Sequence, residues 1–317
     1  MFKLNTTKVT EFSILGFQGL QIFSPLLFVP FFLIYTLAVV GNLLIIVLVL
    51  KSHNLKSPMY FFFTQLSVSD ILLTTNIAPY MIHLIINGGG KISVAGCIIQ
   101  YFLYGFSAAA QCLLLTVMSY DRYLAICWPL RYTSIMDQRL LSQLVLWPWL
   151  LAFMVMVITV SLMCNLQFCG PNVIDHYFCD IEPILELSCS DHSIVDITYF
   201  IFVILFTIAP FFFIVFTYIS IFITIFGIPS STGRKKAFST CSSHLSVVST
   251  YYGTLITIYM VPIKRQSFNV NKVISLLYTL GTPFFNPIIY SLRNQEIKTA
   301  LVRCFLALWS SNAKISI

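Results

Sequence analysis

The chain has 317 residues, of which 58% are hydrophobic, 15% aromatic and only 9% charged. Soluble proteins carry about 25% charged residues, and so few charges cannot cover the surface of a soluble fold of this length. The composition therefore excludes a soluble enzyme and a disordered chain. It also excludes a nucleic-acid-binding protein, because the net charge of +7 is spread over an apolar chain. We predict an integral membrane protein.

Seven apolar stretches are long enough to cross a membrane, which takes roughly 20 helical residues. They lie at 26–50, 59–86, 97–120, 140–163, 197–228, 237–263 and 273–292, and only the second contains an Asp, Glu, Lys or Arg, namely Asp70. The stretches are too long and too continuous for the strands of a β-barrel. The sequence predicts an all-α membrane protein, a seven-transmembrane helix bundle over 26–292 between an N-terminal segment 1–25 and a tail 293–317.

The basic residues predict the orientation, since short loops rich in Lys and Arg stay in the cytoplasm. Twelve of the 18 Lys and Arg lie on the side of the C-terminal tail. We therefore expect an extracellular N-terminus and a cytoplasmic C-terminus in the cell (plasma) membrane. The sequon at Asn5 then lies on the outer side, where glycosylation occurs.

Four cysteines also fall on the outer side, where disulfides form. They are Cys97, Cys169, Cys179 and Cys189. Four cysteines allow three pairings, and the sequence leaves the choice between them open.

Three polar residues lie within the predicted spans, where each needs a partner because hydrocarbon offers none. They are Asn42, Asp70 and Asn286. We expect them to face one another inside the bundle, around water or a cation. The alternative is a purely structural polar clamp.

The inner end of the third span carries Asp121 and Arg122, followed by Tyr123. These charges indicate a switch in which Asp121 holds Arg122 in one state and releases it to a cytoplasmic partner in the other; the alternative is an interfacial anchor. Such a switch needs a bundle with two states. Pro283 and Pro287 in the seventh span predict a kink there, because proline removes backbone hydrogen bonds.

Together these motifs resemble the rhodopsin-like G-protein-coupled receptors, and within them the odorant (olfactory) receptor family. The resemblance is carried by Gly41-Asn42, LKSPMYFF at 55–62, LSVSD at 66–70, MSYDRYLAIC at 118–127, KAFSTCSSHL at 236–245, Tyr251-Tyr252-Gly253 and PFFNPIIY at 283–290. The stretch at 236–244 is the most discriminating. The resemblance implies a receptor rather than an enzyme.

The resemblance implies a disulfide between Cys97 and Cys179, which leaves Cys169 and Cys189 to pair, with Cys97 to Cys189 as the alternative. It places a small, mostly apolar odorant in the outer half of the bundle. The implied ligand-binding residues are Tyr104, Gly105, Ala108, Ala109, Phe202, Phe206, Tyr252, Leu255, Tyr259 and Thr279.

The resemblance also implies a polar core of Asn42, Asp70 and Gln111 and no cofactor other than a sodium ion near Asp70. Gln111 stands where many family members have Glu, which removes one negative charge from that ion's surroundings.

At the cytoplasmic side the resemblance implies coupling to a stimulatory, olfactory-type heterotrimeric G protein, which raises cyclic AMP. The residues implied for the switch and the coupling are Asp121, Arg122, Tyr123, Tyr218, Asn286, Pro287 and Tyr290. In the tail, Ile297, Leu301, Phe305 and Leu308 form the apolar stripe of an amphipathic helix on membrane lipid.

Two other functions are compatible with parts of the sequence. A chemosensory receptor of the same family acting outside the nose would have the same motifs. A secondary transporter is the alternative from another class, but it should show inverted repeats with paired broken helices, and seven spans do not divide into two halves.

Overall fold

The computed structural model describes residues 9–17, 24–52, 54–169, 171–260 and 268–315. Most of these residues lie in helices that pack side by side. The helices are α1 (Ser24–Lys51), α2 (Pro58–Asn87), α3 (Val94–Cys127), α4 (Pro129–Ile135), α5 (Gln138–Met163), α6 (Ile181–Glu186), α7 (Ser193–Val203), α8 (Ala209–Phe226), α9 (Ser231–Met260), α10 (Phe268–Leu276), α11 (Thr282–Arg293) and α12 (Gln295–Ile315).

Among the described residues, six helical segments are long and apolar enough to cross a membrane: Pro25–Lys51, Pro58–Asn87, Val94–Cys127, Gln138–Met163, Ser193–Phe226 and Asn271–Leu292. They overlap six of the seven predicted spans. At the place of the remaining span, predicted at 237–263, lies α9, which begins earlier and includes Arg234 and Lys235. The predicted all-α membrane bundle is confirmed.

The outer faces of the bundle carry large apolar side chains that the rest of the described chain leaves uncovered. Leu26 and Leu37 on α1 and Phe212 and Phe216 on α8 are each more than half exposed. A helix that is apolar all round is stable only where its surroundings are apolar too, so these faces fit a lipid environment.

Two of the spanning segments contain a turn of π-helix, at Ile204–Ile208 between α7 and α8 and at Leu277–Gly281 between α10 and α11. A proline follows each turn, Pro210 in the first case and Pro283 in the second. Since proline has no N–H to donate to the preceding turn, the widened turn forms where the regular hydrogen-bond ladder is interrupted. In the seventh span, where a kink was predicted at Pro283 and Pro287, the structure has this π-turn just before Pro283.

One end of the bundle, called the loop end below, is closed by a three-stranded sheet. Its strands are β1 (Glu11–Ile14), β2 (Gly90–Ser93) and β3 (Val173–Ile174), in the order β2-β1-β3. β1 runs antiparallel to β2 and parallel to β3, with Ser13 opposite both Lys91 and Val173. Gly88 and Gly89 have positive φ angles of 69° and 134°, which let the chain turn sharply from α2 into β2.

Two disulfides and one ion pair fix the loop between α5 and α7 over this end. Cys97 is bonded to Cys179 and Cys169 to Cys189, with Cα atoms 5.4 and 5.9 Å apart. The ammonium of Lys272, on α10, contacts the carboxylate of Asp175 and donates to the carbonyl of Gly16 at 2.8 Å. The loop therefore lies as a fixed lid across the bundle.

Candidate functional site

The centre of the bundle contains one carboxylate, Asp70 of α2, which is fully buried. Its Oδ1 accepts an N–H from Gln111 of α3 at 2.9 Å, and its Oδ2 accepts one from Asn286 of α11 at 2.8 Å. Asn42 does not contact Asp70; its amide donates to the carbonyls of Ala38 and Pro283, both at 2.9 Å. The polar residues expected to face one another thus form two neighbouring contacts that tie α1, α2 and α3 to α11.

Several buried side-chain oxygen atoms in the bundle, two of them on the amides that bond to Asp70, have no hydrogen-bond partner in the described part of the chain. They include Ser67 Oγ, Gln111 Oε1, Asn286 Oδ1 and Asn42 Oδ1. Oxygen atoms of this kind are the ligands that hard cations prefer. The donor chemistry therefore suits a hydrated sodium ion, although such an ion would share both Asp70 oxygens with the amide N–H groups that they already accept.

A cavity of about 100 Å³ lies between α3, α5, α7, the π-turn at Ile204–Ile208 and α9, towards the loop end. Its wall is mostly aromatic and aliphatic, with a few hydroxyl groups. The lining residues are Tyr101, Tyr104, Gly105, Ala108, Ala109, Cys112, Val155, Met156, Thr159, Asp180, Tyr199, Phe202, Val203, Phe206, Thr207, Tyr251 and Leu255. Apolar walls with few polar groups are typical of sites for small organic molecules.

Met156 limits the width of this cavity. A methyl group on Gly105 would lie only 2.5 Å from the Met156 sulfur, so the thioether lies directly against the α3 backbone. Met has three rotatable bonds and adapts to its surroundings. The cavity is smaller than the roughly 150 Å³ that accepts benzene, so a larger ligand requires Met156 to move.

The lid supplies the roof of the cavity. Asp180, next to the disulfide-bonded Cys179, lines it from above, and burial raises the pKa of the Asp180 carboxyl to about 6. Tyr177 is fully buried and shares a hydrogen bond of 3.0 Å with Thr279. The lid thus reaches into the bundle rather than resting on its rim.

At the opposite end, called the arginine end below, Arg122 is held by its neighbour. The residue is 7% exposed, and its guanidinium bonds to Asp121 Oδ2, while Tyr132 of α4 donates to Asp121 Oδ1 at 2.7 Å. Burial and, after it, the nearby Asp121 carboxylate raise the pKa of the Tyr132 hydroxyl. In this state the arginine is retained inside the bundle.

Buried polar and aromatic side chains surround Arg122. Tyr218 of α8 and His244 of α9 share a 2.6 Å hydrogen bond between the hydroxyl and Nδ1. Tyr290 of α11 is fully buried and stacks on Phe63, with ring centres 4.0 Å apart. The stacked Tyr290 and Phe63 rings fix α11 against α2.

Close backbone packing and the start of α12 complete this end. Pro287 lies inside α11 and packs against Gly41 of α1, where a methyl group would meet the proline ring at 3.0 Å. The hydroxyl of Tyr60 donates to Glu296 Oε2 at 2.7 Å. Ile297 is fully buried, so the first turns of α12 are anchored to the bundle.

The family comparison agrees with this architecture. A family model described as "Olfactory receptor" matches residues 31–307, nearly the whole chain. The chain belongs to the olfactory receptor family. It is therefore a multi-pass G-protein-coupled receptor of the membrane and not an enzyme, as the motifs at both ends of the bundle indicated.

Curated olfactory receptors cover almost the full length of the chain. Olfactory receptor 11A1 of Homo sapiens is 44% identical over 293 residues, 92% of this chain and 93% of its own. Olfactory receptor 10C1 of Homo sapiens is 45% identical over 299 residues, 94% and 96% respectively. Olfactory receptor 5G9 of Mus musculus is 43% identical over 302 residues, 94% and 95%.

For this olfactory receptor, the structure places seven of the ten residues expected to bind ligand around one cavity: Tyr104, Gly105, Ala108, Ala109, Phe202, Phe206 and Leu255. Tyr252 instead packs on Phe211, and Thr279 bonds to Tyr177 of the lid. The side chain of Tyr259 lies outside the described residues, as do Asn5, Phe305 and Leu308.

Ten of the 17 lining residues were not expected, and three of them show different reasons for this. Cys112 is four residues beyond Ala108 on the same face of α3, so helical spacing could have found it. Met156 lies on α5, which the expected site did not include. Asp180 lies in the loop, whose acidic residues look like an ordinary solvated surface in the sequence.

The switch residues lie together but make different contacts. Asp121 and Arg122 pair as the sequence suggested, and Tyr218 faces His244. Tyr123 points elsewhere, since its hydroxyl accepts an N–H from Trp128 at 3.2 Å. The α12 helix extends to Ile315, beyond Leu308, the last residue of the expected apolar stripe.

Proposed function

We propose that this protein is an odorant receptor that binds a small, mostly apolar odorant in the cavity beneath the lid. Binding activates a stimulatory, olfactory-type heterotrimeric G protein at the arginine end and raises cyclic AMP. The observation that carries the proposal is the aromatic and aliphatic cavity between α3, α5, α7, the π-turn after α7 and α9, at one end of a bundle that holds Arg122 at the other.

Two chemical features support an uncharged or cationic odorant. The described lining contains no Lys or Arg to pair with an acid, and its only carboxylate is Asp180. The hydroxyls of Thr159, Thr207 and Tyr199 lie among aromatic rings. Such a surface binds apolar groups by burial and orients them with few hydrogen bonds.

The coupling end is supported by how Arg122 is held. Asp121 and Tyr132 form a local hydrogen-bonded group with the arginine that a protein partner can open, since Tyr132 belongs to the short helix α4. The Lys and Arg bias predicts that this end faces the cytoplasm, with Asn5 glycosylated outside. A sodium ion near Asp70 stays a prediction.

The test is an odorant panel applied to cells that express the receptor and a cyclic AMP reporter. Once an agonist is found, Phe206→Ala should weaken its potency at least tenfold, because Phe206 lines the cavity. Phe212→Ala is the matched control, because Phe212 lies on α8 and is 64% exposed on its outer face. Equal potency for the two variants would remove the cavity from the proposal.

The coupling claim is tested separately with Arg122→Ala at matched surface level. We expect loss of the cyclic AMP response, with Arg139→Ala as a control because Arg139 is an exposed residue at the start of α5. A full response from Arg122→Ala would refute the assigned role.

A further inference from the structure

A second cavity, of about 300 Å³, lies within the lid itself, between β3, α6 and α10. Its polar lining consists of Asp175, His176, Asp180, Glu182, Glu186 and Asn271, with Ser275 below. Only Asp180 also lines the smaller cavity between the helices. A further cavity of about 480 Å³ borders both of them, since it shares Tyr104, Tyr199 and Leu255 with the proposed odorant site and Glu182 and Glu186 with the lid cavity. The lid cavity is therefore a neighbouring site at the rim of the proposed odorant site.

The lid cavity carries unbalanced negative charge. Asp180, Glu182 and Glu186 form no ion pair within the part of the chain that the structure describes. The neighbouring cation, Lys272, is already bound to Asp175 and to the Gly16 carbonyl. Burial, together with the Glu186 charge, raises the pKa of the Glu182 carboxyl. A positively charged group entering this cavity would relieve that repulsion.

His176 provides an independent sign of a ligand. The residue is only 7% exposed, and its Nδ1 is buried with no hydrogen-bond partner in the described residues. The ring is fixed between Tyr177 and Phe178, at 4.7 and 4.6 Å. Burial and the nearby Lys272 lower the pKa of His176 to about 3, so at neutral pH the imidazole is uncharged. With the ring proton on Nε2, Nδ1 is a fixed acceptor.

We propose that the lid cavity binds a small organic amine in its ammonium form. The ammonium donates N–H groups to the carboxylates of Glu182, Glu186 and Asp180, and a further N–H reaches Nδ1 of His176. The carbon chain lies along Ile174 and Leu187, which complete the wall. An alkylamine is protonated at neutral pH, as lysine is.

Size and ligand geometry favour an amine over other cations. A cavity of about 150 Å³ accepts benzene, so one twice as large holds a molecule with on the order of ten non-hydrogen atoms. Among the residues that the structure describes, no three His, Cys, Asp or Glu side chains are arranged to hold a metal ion. The carboxylates are spread around a volume suited to an organic cation.

The experiment measures thermal unfolding of the purified full-length receptor in lipid nanodiscs at pH 7.5, with 1,4-diaminobutane as the probe. We expect the diamine to raise the Tm in a saturable way, while 1,4-butanediol and succinate, of the same carbon-chain length, do not at equal ionic strength. A similar rise with the diol or the diacid, or no rise up to 10 mM diamine (roughly the weak end of specific binding), would overturn the proposal.

Variants locate the site. Glu182→Gln combined with Glu186→Gln should weaken the apparent diamine affinity at least tenfold, whereas Asp191→Asn should not. Asp191 is an exposed acid of the same loop outside the cavity, and Asn keeps the acceptor that bonds to the Ser193 N–H. Unchanged affinity in the double variant would refute the site.

His176→Phe is a second variant, which preserves the aromatic stack but removes the acceptor. It should weaken diamine binding several-fold even if the double variant folds poorly. The measurement needs neither an odorant nor a G protein, so its failure is distinct from a failure of the proposed receptor function.

Discussion

Replacing Lys272 or its partner Asp175 tests how the lid is held on the bundle. The Lys272 side chain is 2% exposed, whereas that of Asp175 is 33% exposed. Asp175→Ala leaves a buried ammonium whose remaining described acceptor is the Gly16 carbonyl. Breaking a buried pair in this way costs about 3–5 kcal/mol, because an unpaired charge stays out of water.

The reverse substitution should be milder. Lys272→Met keeps most of the side-chain volume and leaves Asp175 partly exposed, so water can solvate the carboxylate. The loss is then mainly the hydrogen bonds of the ammonium, about 1–3 kcal/mol. The double variant should be about as stable as Lys272→Met alone, because Asp175→Ala costs little once the ammonium is absent.

The assay is thermal unfolding of the purified receptor, followed by a thiol-reactive dye that labels the buried free cysteines Cys112 and Cys241 as they become accessible. At roughly 2–4 °C per kcal/mol, Asp175→Ala should lower the Tm about twice as far as Lys272→Met. The reasoning is refuted if Lys272→Met is as damaging as Asp175→Ala, or if the two losses add in the double variant.

Four further outcomes follow from the described contacts. Gly105→Ala should push Met156 into the cavity and raise the half-maximal odorant concentration about tenfold. Adding Met156→Ala should restore the original concentration. An unchanged dose response for Gly105→Ala would contradict this geometry. Asp70→Leu should destabilise the receptor by about 2–5 kcal/mol, because the buried amides of Gln111 and Asn286 lose their acceptor. Asp70→Asn should lower the Tm less than Asp70→Leu in the same thermal assay. His176 has a pKa of about 3 when folded, against 6.5 for an unperturbed imidazole, so the unfolded chain binds the extra proton and stability should fall as the pH drops from 6.5 towards 3. His176→Asn should flatten that profile of Tm against pH, and an unchanged slope would count against the buried neutral ring. Asp180 acts in the opposite direction, because its pKa of about 6 in the folded protein lies above the ordinary aspartate value of 3.8 and the folded protein binds the extra proton. Asp180→Asn should therefore steepen the loss of stability as the pH falls.

The bundle and its polar centre could be predicted from the sequence because hydrocarbon penalises every polar group strongly. A lone Asp70 in an apolar stretch must find partners, and Asn286 was an available one. The partner of the Asn42 amide was harder to predict, because the amide donates to the backbone carbonyl of Pro283. Every residue has such a carbonyl, so the sequence does not indicate which one is used.

The roof of the cavity could not be predicted, because loop residues are positioned by contacts distant in the chain. Asp180 reaches the cavity only because Cys179 is tied to Cys97 and Tyr177 to Thr279. In the sequence, Asp180 belongs to a run of acidic residues that a solvated loop would also have. Cys112, by contrast, follows from the helical spacing of α3.

The sheet at the loop end also has a consequence for the order in which the chain assembles during its synthesis. β1 is made about 160 residues before its partner β3, and Lys272 follows Gly16, whose carbonyl it contacts, by 256 residues. At about 5–20 residues per second, β1 waits on the order of ten seconds or more for β3 and still longer for Lys272. The sheet and the contact between Lys272 and the Gly16 carbonyl are therefore completed long after β1 itself has been synthesised.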